Sequence, residues 1–233
     1  IVGVTGLPGE VVIAVKRAQR QVVHLFDCLR QREAHQAREY ANLSLLLGVR
    51  ELDGELQFLN MAEEYHGQSQ HAPHTLVAGA TGSGKSVLLQ NLMVDYCATN
   101  RESDAHLYLI DPKFGVDYTA LKDLPHLQGG IIFDRPTASQ LLEQLVSEMD
   151  DRYQAFAKVG AKNLKVYNAK VALEERRPAI LLVHDEFAEW MLDPAYRGAV
   201  ESTVSRLGVK GRAAGVHLVF AAQRPDATVF PLH

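Results

Sequence analysis

Two patterns of apolar positions divide the chain near residue 73. Before it, β-branched and apolar residues come in short runs, from Gly9 to Lys16 and from Leu43 to Leu59, the second broken by Gly48 and by the turn pair Asp53-Gly54. Such runs predict strands and a hairpin. Between them, residues 17–40 carry Val22, Val23, Leu25, Phe26 and Leu29 on one side and charges elsewhere, the spacing of an amphipathic helix that thins into a polar surface segment. Residues 61–73, with Gly67 and Pro73, predict a loop; His66, His71 and the nearby His74 have no metal-ligand spacing.

After Pro73, apolar runs of strand length alternate with helical spacing, the pattern of a parallel sheet covered on both faces. Strands are expected at 75–79, 106–110, 130–133, 179–184 and 216–222, and helices near 85–99, 136–158, 164–175 and 195–211. Asp134 and Pro136 supply a helix start and Gly160 a stop. The expectation is an α/β fold in two parts, a small N-terminal α/β extension over 1–73 and a main domain over 74–233.

Composition narrows the function. Of 233 residues, 47% are hydrophobic and 22% charged, a globular balance. With 24 Lys and Arg against 28 Asp and Glu, the formal charge is -4, so any contact with nucleic acid must be local. Cys28 and Cys97 lack CxxC spacing and no secretory signal opens the chain, which points to a reducing, cytoplasmic setting. The longest apolar runs, such as Ile180 to Val183, fall far short of the roughly 18 residues of a membrane span. A chain starting at Ile1 and stopping at Pro231-Leu232-His233 is expected to be a piece of a longer protein.

The strongest motif is GxxxxGK[ST] at 79–86, between the apolar Leu76-Val77-Ala78 and the helical Val87-Leu88-Leu89. Gly79, Ala80, Thr81, Gly82, Ser83, Gly84, Lys85, Ser86 and Val87 form the expected nucleotide-binding segment. Glycines let its N–H groups curl round an anion, and the following helix adds its positive end. Lys85 would reach the β- and γ-phosphates of ATP, and Ser86 would ligate Mg²⁺. At 180–186 an apolar strand ends in two acids: Asp185 suits the metal, and Glu186 suits activation of water in line with the γ-phosphorus. Asp185 and Glu186 also suit a capped helix start. His184 reads as a packed core residue. Gln223 closes another apolar strand and can sense the γ-phosphate; Asp111 and Lys113 end a third at the same sheet edge, either lining the site or forming a plain Asp-Pro turn.

In order, HTLVAGATGSGKS (74–86), LIDPK (109–113), EMDDRYQAF (148–156), NLKVYN (163–168), HDEFAEWM (184–191) and RLGVKGRAAGVHLVFAAQRP (206–225) closely resemble the FtsK/SpoIIIE family of DNA translocases, in the wider HerA-FtsK group. The segment from Pro8-Gly9 through LLLGVRELDGELQF (45–58) is similar to the part preceding that family's motor core. The resemblance implies a RecA-like P-loop ATPase with a mostly parallel central sheet, assembling as a homohexamer that pumps double-stranded DNA through its pore. His184 replaces the family's apolar residue before the Asp-Glu pair, and the family's later strands and trans-acting arginine would fall beyond His233. Arg206, Arg212 and Arg224 remain open as intersubunit, phosphate or surface residues.

By position, Lys158 to Lys170 and Met191 to Arg197 resemble the family's pore loops, so Lys158, Lys162, Lys165 and Arg197 are expected DNA contacts. Lysines so spaced also decorate ordinary helices. Rival readings are an FtsK-like ATPase moving secreted polypeptides and a nucleotide-binding scaffold. A GTPase lacks its NKxD motif here, an ABC ATPase its LSGGQ-type signature, and adjacent acids favour hydrolysis over small-molecule phosphorylation.

Overall fold

The computed structural model describes residues 4–7, 10–13, 22–32, 41–61 and 71–223. Strands β1 (Val4–Leu7) and β2 (Glu10–Ile13) pair antiparallel with Leu7 opposite Glu10, so the strand expected from Gly9 to Lys16 is one arm of a hairpin. Gly9 and residues 14–16 lie outside the described residues. Helix α1 (Leu25–Gln31) is much shorter than the expected 17–40, of which 17–21 and 33–40 lie outside the described residues. Val22 and Val23 precede it, exposed and non-helical. Instead Leu25, Cys28 and Leu29, at the i, i+3, i+4 spacing of one helix face, are the covered positions.

β3 (Ser44–Val49) and β4 (Leu56–Asn60) form the expected hairpin, with a register shift at Gly48. Its Leu45, with Leu43 and Met61, packs on Leu89, Leu92 and Met93 of α2 (Lys85–Ala98). A buried ion pair adds to that contact. The Arg32 guanidinium donates to Asp95 of α2, and the Leu46 N–H donates to the other Asp95 oxygen at 2.8 Å. Burial raises the Asp95 pKa and the Arg32 charge opposes that rise.

Five parallel strands make the central sheet, in the order β5-β9-β8-β6-β7. They are β5 (His74–Ala78), β6 (Ala105–Ile110), β7 (Leu127–Ile132), β8 (Ala179–His184) and β9 (Val216–Ala222). One face packs against α3 (Arg135–Val159) and α6 (Pro194–Ala214) through Ile180, Leu182, Val216 and Leu218. The other packs against α2 and the β3–β4 hairpin through Leu107, Leu181, Val183 and Val219. All positions of β8 and β9 are buried, as two covered faces require, and that is why both strands read as near-continuous apolar runs, interrupted by His184 and His217.

The helices follow their sequence signals closely. Asp134 caps α3 by accepting from the Thr137 N–H at 2.9 Å, and Gly160 closes it at φ 62°. Asp193, unnoticed in the sequence, caps α6 through the Ala195 and Tyr196 N–H groups. Helix α4 (Leu164–Lys170) stops short of the expected 175, because Asn168 pairs twice with the Arg177 backbone and draws the chain back toward β8. Strand β7 begins before 130, running through Gly129 and Gly130, whose positive φ makes a bulge against β6. A one-turn helix, α5 (Phe187–Trp190), follows the paired acids, the helix start their pattern also suits, with Glu186 and not Asp185 at its N-cap. No helix among the described residues is long and apolar enough to cross a membrane.

Candidate functional site

Parallel strands point their carboxyl ends the same way, so the segments after β5, β6, β8 and β9 gather at one edge of the sheet. The glycine-rich segment leaves β5, tied to β9 by the Gly79 N–H donating to Ala222 O at 3.1 Å. Ala80 to Gly84 are exposed, and a Ser83 N–H to Ala80 O bond of 3.0 Å tightens the turn. Gly82 and Gly84 have φ of 78° and 93°, conformations costly for a residue with a Cβ. Gly84 is the N-cap of α2 and provides no side-chain cap, which leaves the first N–H groups of the helix for an anion. Ser86 and Val87 lie in that first turn.

Across from this turn, β8 delivers Asp185 and Glu186, both buried. The Lys85 ammonium donates to Asp185 Oδ1 and, at 2.9 Å, to Glu186 Oε1. Asp185 is fixed further by the Tyr118 hydroxyl, donating to Oδ2 at 2.6 Å, and by the Glu186 N–H at 2.8 Å. Gln223 Nε2, at the end of β9, donates to Glu186 Oε1 at 3.0 Å, and Lys113 Nζ, from the turn after β6, does so at 2.9 Å. Burial alone would raise the Glu186 pKa, but the donors Gln223, Lys113 and Lys85 outweigh it and hold the carboxyl at about 2. Glu186 has a left-handed backbone, φ 47°, a strained conformation for a non-glycine residue that its surrounding bonds sustain.

The set therefore brings Lys85, Asp185, Glu186 and Gln223 into one hydrogen-bonded group. Ser86 stands beside it, with its hydroxyl 3.3 Å from Asp117 Oδ2. Ser86, Asp185 and Asp117 offer only hard oxygen donors, with no thiolate or imidazole among them, a set that fits Mg²⁺. Asp111 is buried and accepts the Lys113 and Gly115 N–H groups at 3.0 and 2.8 Å, so it shapes the turn that carries Lys113. His184 is wholly buried among Phe187, Trp190 and Tyr196; its Nδ1 bonds Asp185 O at 2.8 Å and its Nε2 the Tyr196 hydroxyl at 2.9 Å. Burial lowers its pKa to about 4, so it stays neutral in the core. Tyr118 and Asp117 had no motif to reveal them in the sequence.

The expected DNA contacts are not brought together. Lys158 ends α3, and Lys162 and Lys165 flank the start of α4, where they line a groove of about 390 Å³ with Ala179, Arg212 and His217 at the amino edge of the sheet. Arg197 instead sits in the first turn of α6, near the carboxyl edge, its Nε donating to Met191 O at 2.8 Å. Lys170 donates to Val159 O and Gly160 O and so secures the end of α3. Arg206 pairs with Asp150 at 2.6 Å and Arg212 donates to His71 O at 2.6 Å; Arg224 and His66 lie outside the described residues.

The FtsK/SpoIIIE family model matches residues 30–227. A DNA translocase FtsK of Streptococcus pyogenes serotype M3 is 38% identical over 165 residues, which cover 67% of this chain and 20% of that protein. One of Bacillus cereus is 32% identical over 232 residues, covering 96% of this chain and 28% of that protein. The chain thus spans under a third of the curated relatives it matches. Among solved structures, the pCW3 conjugation coupling protein TcpA, in a monomer form with ATPgS, is similar at TM-score 0.65 and 28% identity, over 83% of this chain and 55% of that one. The cytoplasmic domain of the Thermomonospora curvata Type VII secretion ATPase EccC is similar at TM-score 0.68 and 26% identity, over 84% and 23% respectively.

Proposed function

This chain belongs to the FtsK/SpoIIIE family of P-loop ATPases, and from that premise we propose that it is an ATP-hydrolysing motor core that moves double-stranded DNA through a homohexameric ring. The observation that carries the hydrolytic part is the convergence of Lys85, Lys113 and Gln223 on the Glu186 carboxylate beside the open turn of α2. Each element of a water-activating site is within one hydrogen bond of the next.

In this reading the backbone N–H groups of the glycine-rich turn and of the first turn of α2 receive the phosphates, and Lys85 leaves the two acids to meet the β- and γ-phosphate oxygens. Ser86 and Asp185 would hold Mg²⁺, which when bound would supply positive charge to the phosphate oxygens. Losing the Lys85 donor makes Glu186 more basic, and its carboxylate accepts a proton from the water whose oxygen bonds the γ-phosphorus as the bond to the β–γ bridging oxygen breaks and ADP leaves. Gln223 bonds Glu186 and stands 3.4 Å from the Thr81 hydroxyl, so it links the acid to the phosphate-binding turn and suits the coupling of γ-phosphate loss to movement.

Residues 74–233 form the proposed motor core, with 1–73 as an extension whose hairpin braces α2. Lys158, Lys162, Lys165 and Arg197 are proposed phosphate contacts in the ring, where six copies would multiply a small local charge against a net charge of -4. A cytoplasmic setting accompanies that reading. A second reading, movement of polypeptide substrates, is favoured by the likeness to the secretion ATPase EccC. Hydrolysis assayed with and without linear duplex DNA separates the two: stimulation by DNA supports the first reading, and indifference to DNA supports the second.

A further inference from the structure

Three donors share one oxygen of Glu186, and two of them are cations. Lys85 and Lys113 both approach Oε1 at 2.9 Å, from the turns after β5 and β6, and Gln223 completes the set at 3.0 Å from the end of β9. Two ammonium groups therefore face two adjacent buried carboxylates, Asp185 and Glu186, in direct ion pairs. Lys85 cannot hold this post while it contacts phosphates. Without Lys113, its departure would leave the buried Glu186 carboxylate with the neutral Gln223 amide alone, an unfavourable state in a desolvated site.

Lys113 has the geometry to prevent this. Its N–H is bonded to the buried Asp111 carboxylate at 3.0 Å, the Gly115 N–H to the same carboxylate at 2.8 Å, and Asp111 itself to Ile132 O at 2.8 Å. Phe114, between them, adopts φ 60°, a conformation that a bulky side chain takes only where the surroundings fix it. The turn is thus a rigid mount, and the side chain it presents ends on Glu186. The strained backbone of Glu186 itself needs such an anchor to stay in place.

We propose that Lys113 is a positioning residue for ATP hydrolysis, one that keeps the Glu186 carboxylate in place and charge-paired after Lys85 has moved to the phosphates. This rests on the hydrolytic reading above. Its consequence is a division of labour between the two lysines: Lys85 governs nucleotide binding, and Lys113 governs turnover. Because the Lys113 side chain is half-exposed, its replacement leaves the core intact.

The test compares Lys113→Met and Lys113→Arg with the parent in the full-length protein, measuring kcat, KM for ATP, affinity for a fluorescent ATP analogue and the thermal midpoint. Lys113→Met is expected to lower kcat by about tenfold or more while analogue affinity stays within about threefold, and Lys113→Arg to recover most of the loss. In a Glu186→Gln background the Lys113→Met change is expected to cost less than about twofold, because the group it positions is gone. The proposal is overturned if kcat of Lys113→Met stays within about twofold of the parent, or if affinity falls in step with kcat, which makes Lys113 a phosphate ligand. It is also overturned if Lys113→Arg recovers nothing and both variants lose thermal midpoint. A parent that binds the analogue and turns over no ATP refutes the hydrolytic reading itself, a result distinct from an active parent with an indifferent Lys113→Met variant.

Discussion

Gln223 Nε2 lies 3.0 Å from Glu186 Oε1, and the bond joins the carboxyl ends of two neighbouring strands, β9 and β8. Replacing Gln223 with Ala removes one of three donors to a buried carboxylate and cuts the link to Thr81. Turnover is expected to fall about 10- to 100-fold with little change in nucleotide affinity, as kcat and KM measured separately will reveal.

Gly84 carries φ 93° at the mouth of α2. Alanine there meets the full steric cost of the left-handed region, on the order of 1–2 kcal/mol, in a turn whose shape is its function. Gly84→Ala is expected to weaken binding of an ATP analogue by about tenfold or more, read by titration, while overall stability falls by no more than about 2 kcal/mol.

Arg32 and Asp95 are nearly inaccessible, and the pair ties the end of α1 to α2 and, through Leu46 and Ser44, to the hairpin. Arg32→Ala leaves a buried carboxylate without its cation. Urea unfolding is expected to register a loss of about 3–5 kcal/mol, and the double variant Arg32→Ala/Asp95→Ala a loss smaller than the sum of the two single changes.

Two buried histidines make a contribution of known sign to acid stability, and the raised pKa values of Asp95 and Asp111 oppose it. Burial lowers the His217 pKa to about 3 and that of His184 to about 4, from a value of 6.5; near His217, the positive Arg212 and Arg152 and the adjacent His74 push the same way. Above pH ~6.5 both states are neutral and the histidines contribute nothing to pH dependence. As pH falls below that, the unfolded chain takes up protons that the folded one refuses, so stability declines by about 1.4 kcal/mol per pH unit for each histidine until the folded value is reached. Unfolding free energies are expected to vary little with these two groups above pH ~7 and to approach that slope between pH ~6 and 5, and His217→Gln to lower the slope there by about one proton.

Much of this arrangement was legible in the chain because it rests on local signals. β8 and β9 are covered on both faces and so read as near-continuous apolar runs, and 79–86 needs glycine where the backbone turns left-handed. Asp185, Glu186 and Gln223 were found because each ends such a run. What escaped has no decisive local signature. Tyr118, which no motif marks, meets Asp185 across 67 residues of sequence, and Lys113, whose local pattern fits a lining residue and a plain turn equally, meets Glu186 across 73, contacts that only the strand order creates. The side of the expected helix that carries Val22, Val23, Leu25, Phe26 and Leu29 is covered only in part, because Val22 and Val23 precede α1 and Phe26 is exposed, whereas Leu25, Cys28 and Leu29 are three and four residues apart. Lys162 and Arg197 looked alike as loop cations, yet the strand direction sends them to opposite edges of the sheet.

The most direct test is ATP hydrolysis by the full-length protein and its Glu186→Gln variant, with and without linear duplex DNA. The account predicts turnover that duplex DNA raises severalfold and that Glu186→Gln lowers by about 10²- to 10⁴-fold while ATP still binds. Turnover unaffected by DNA would contradict the DNA motor and favour polypeptide substrates, and ATP binding with no turnover in the parent would contradict hydrolysis altogether.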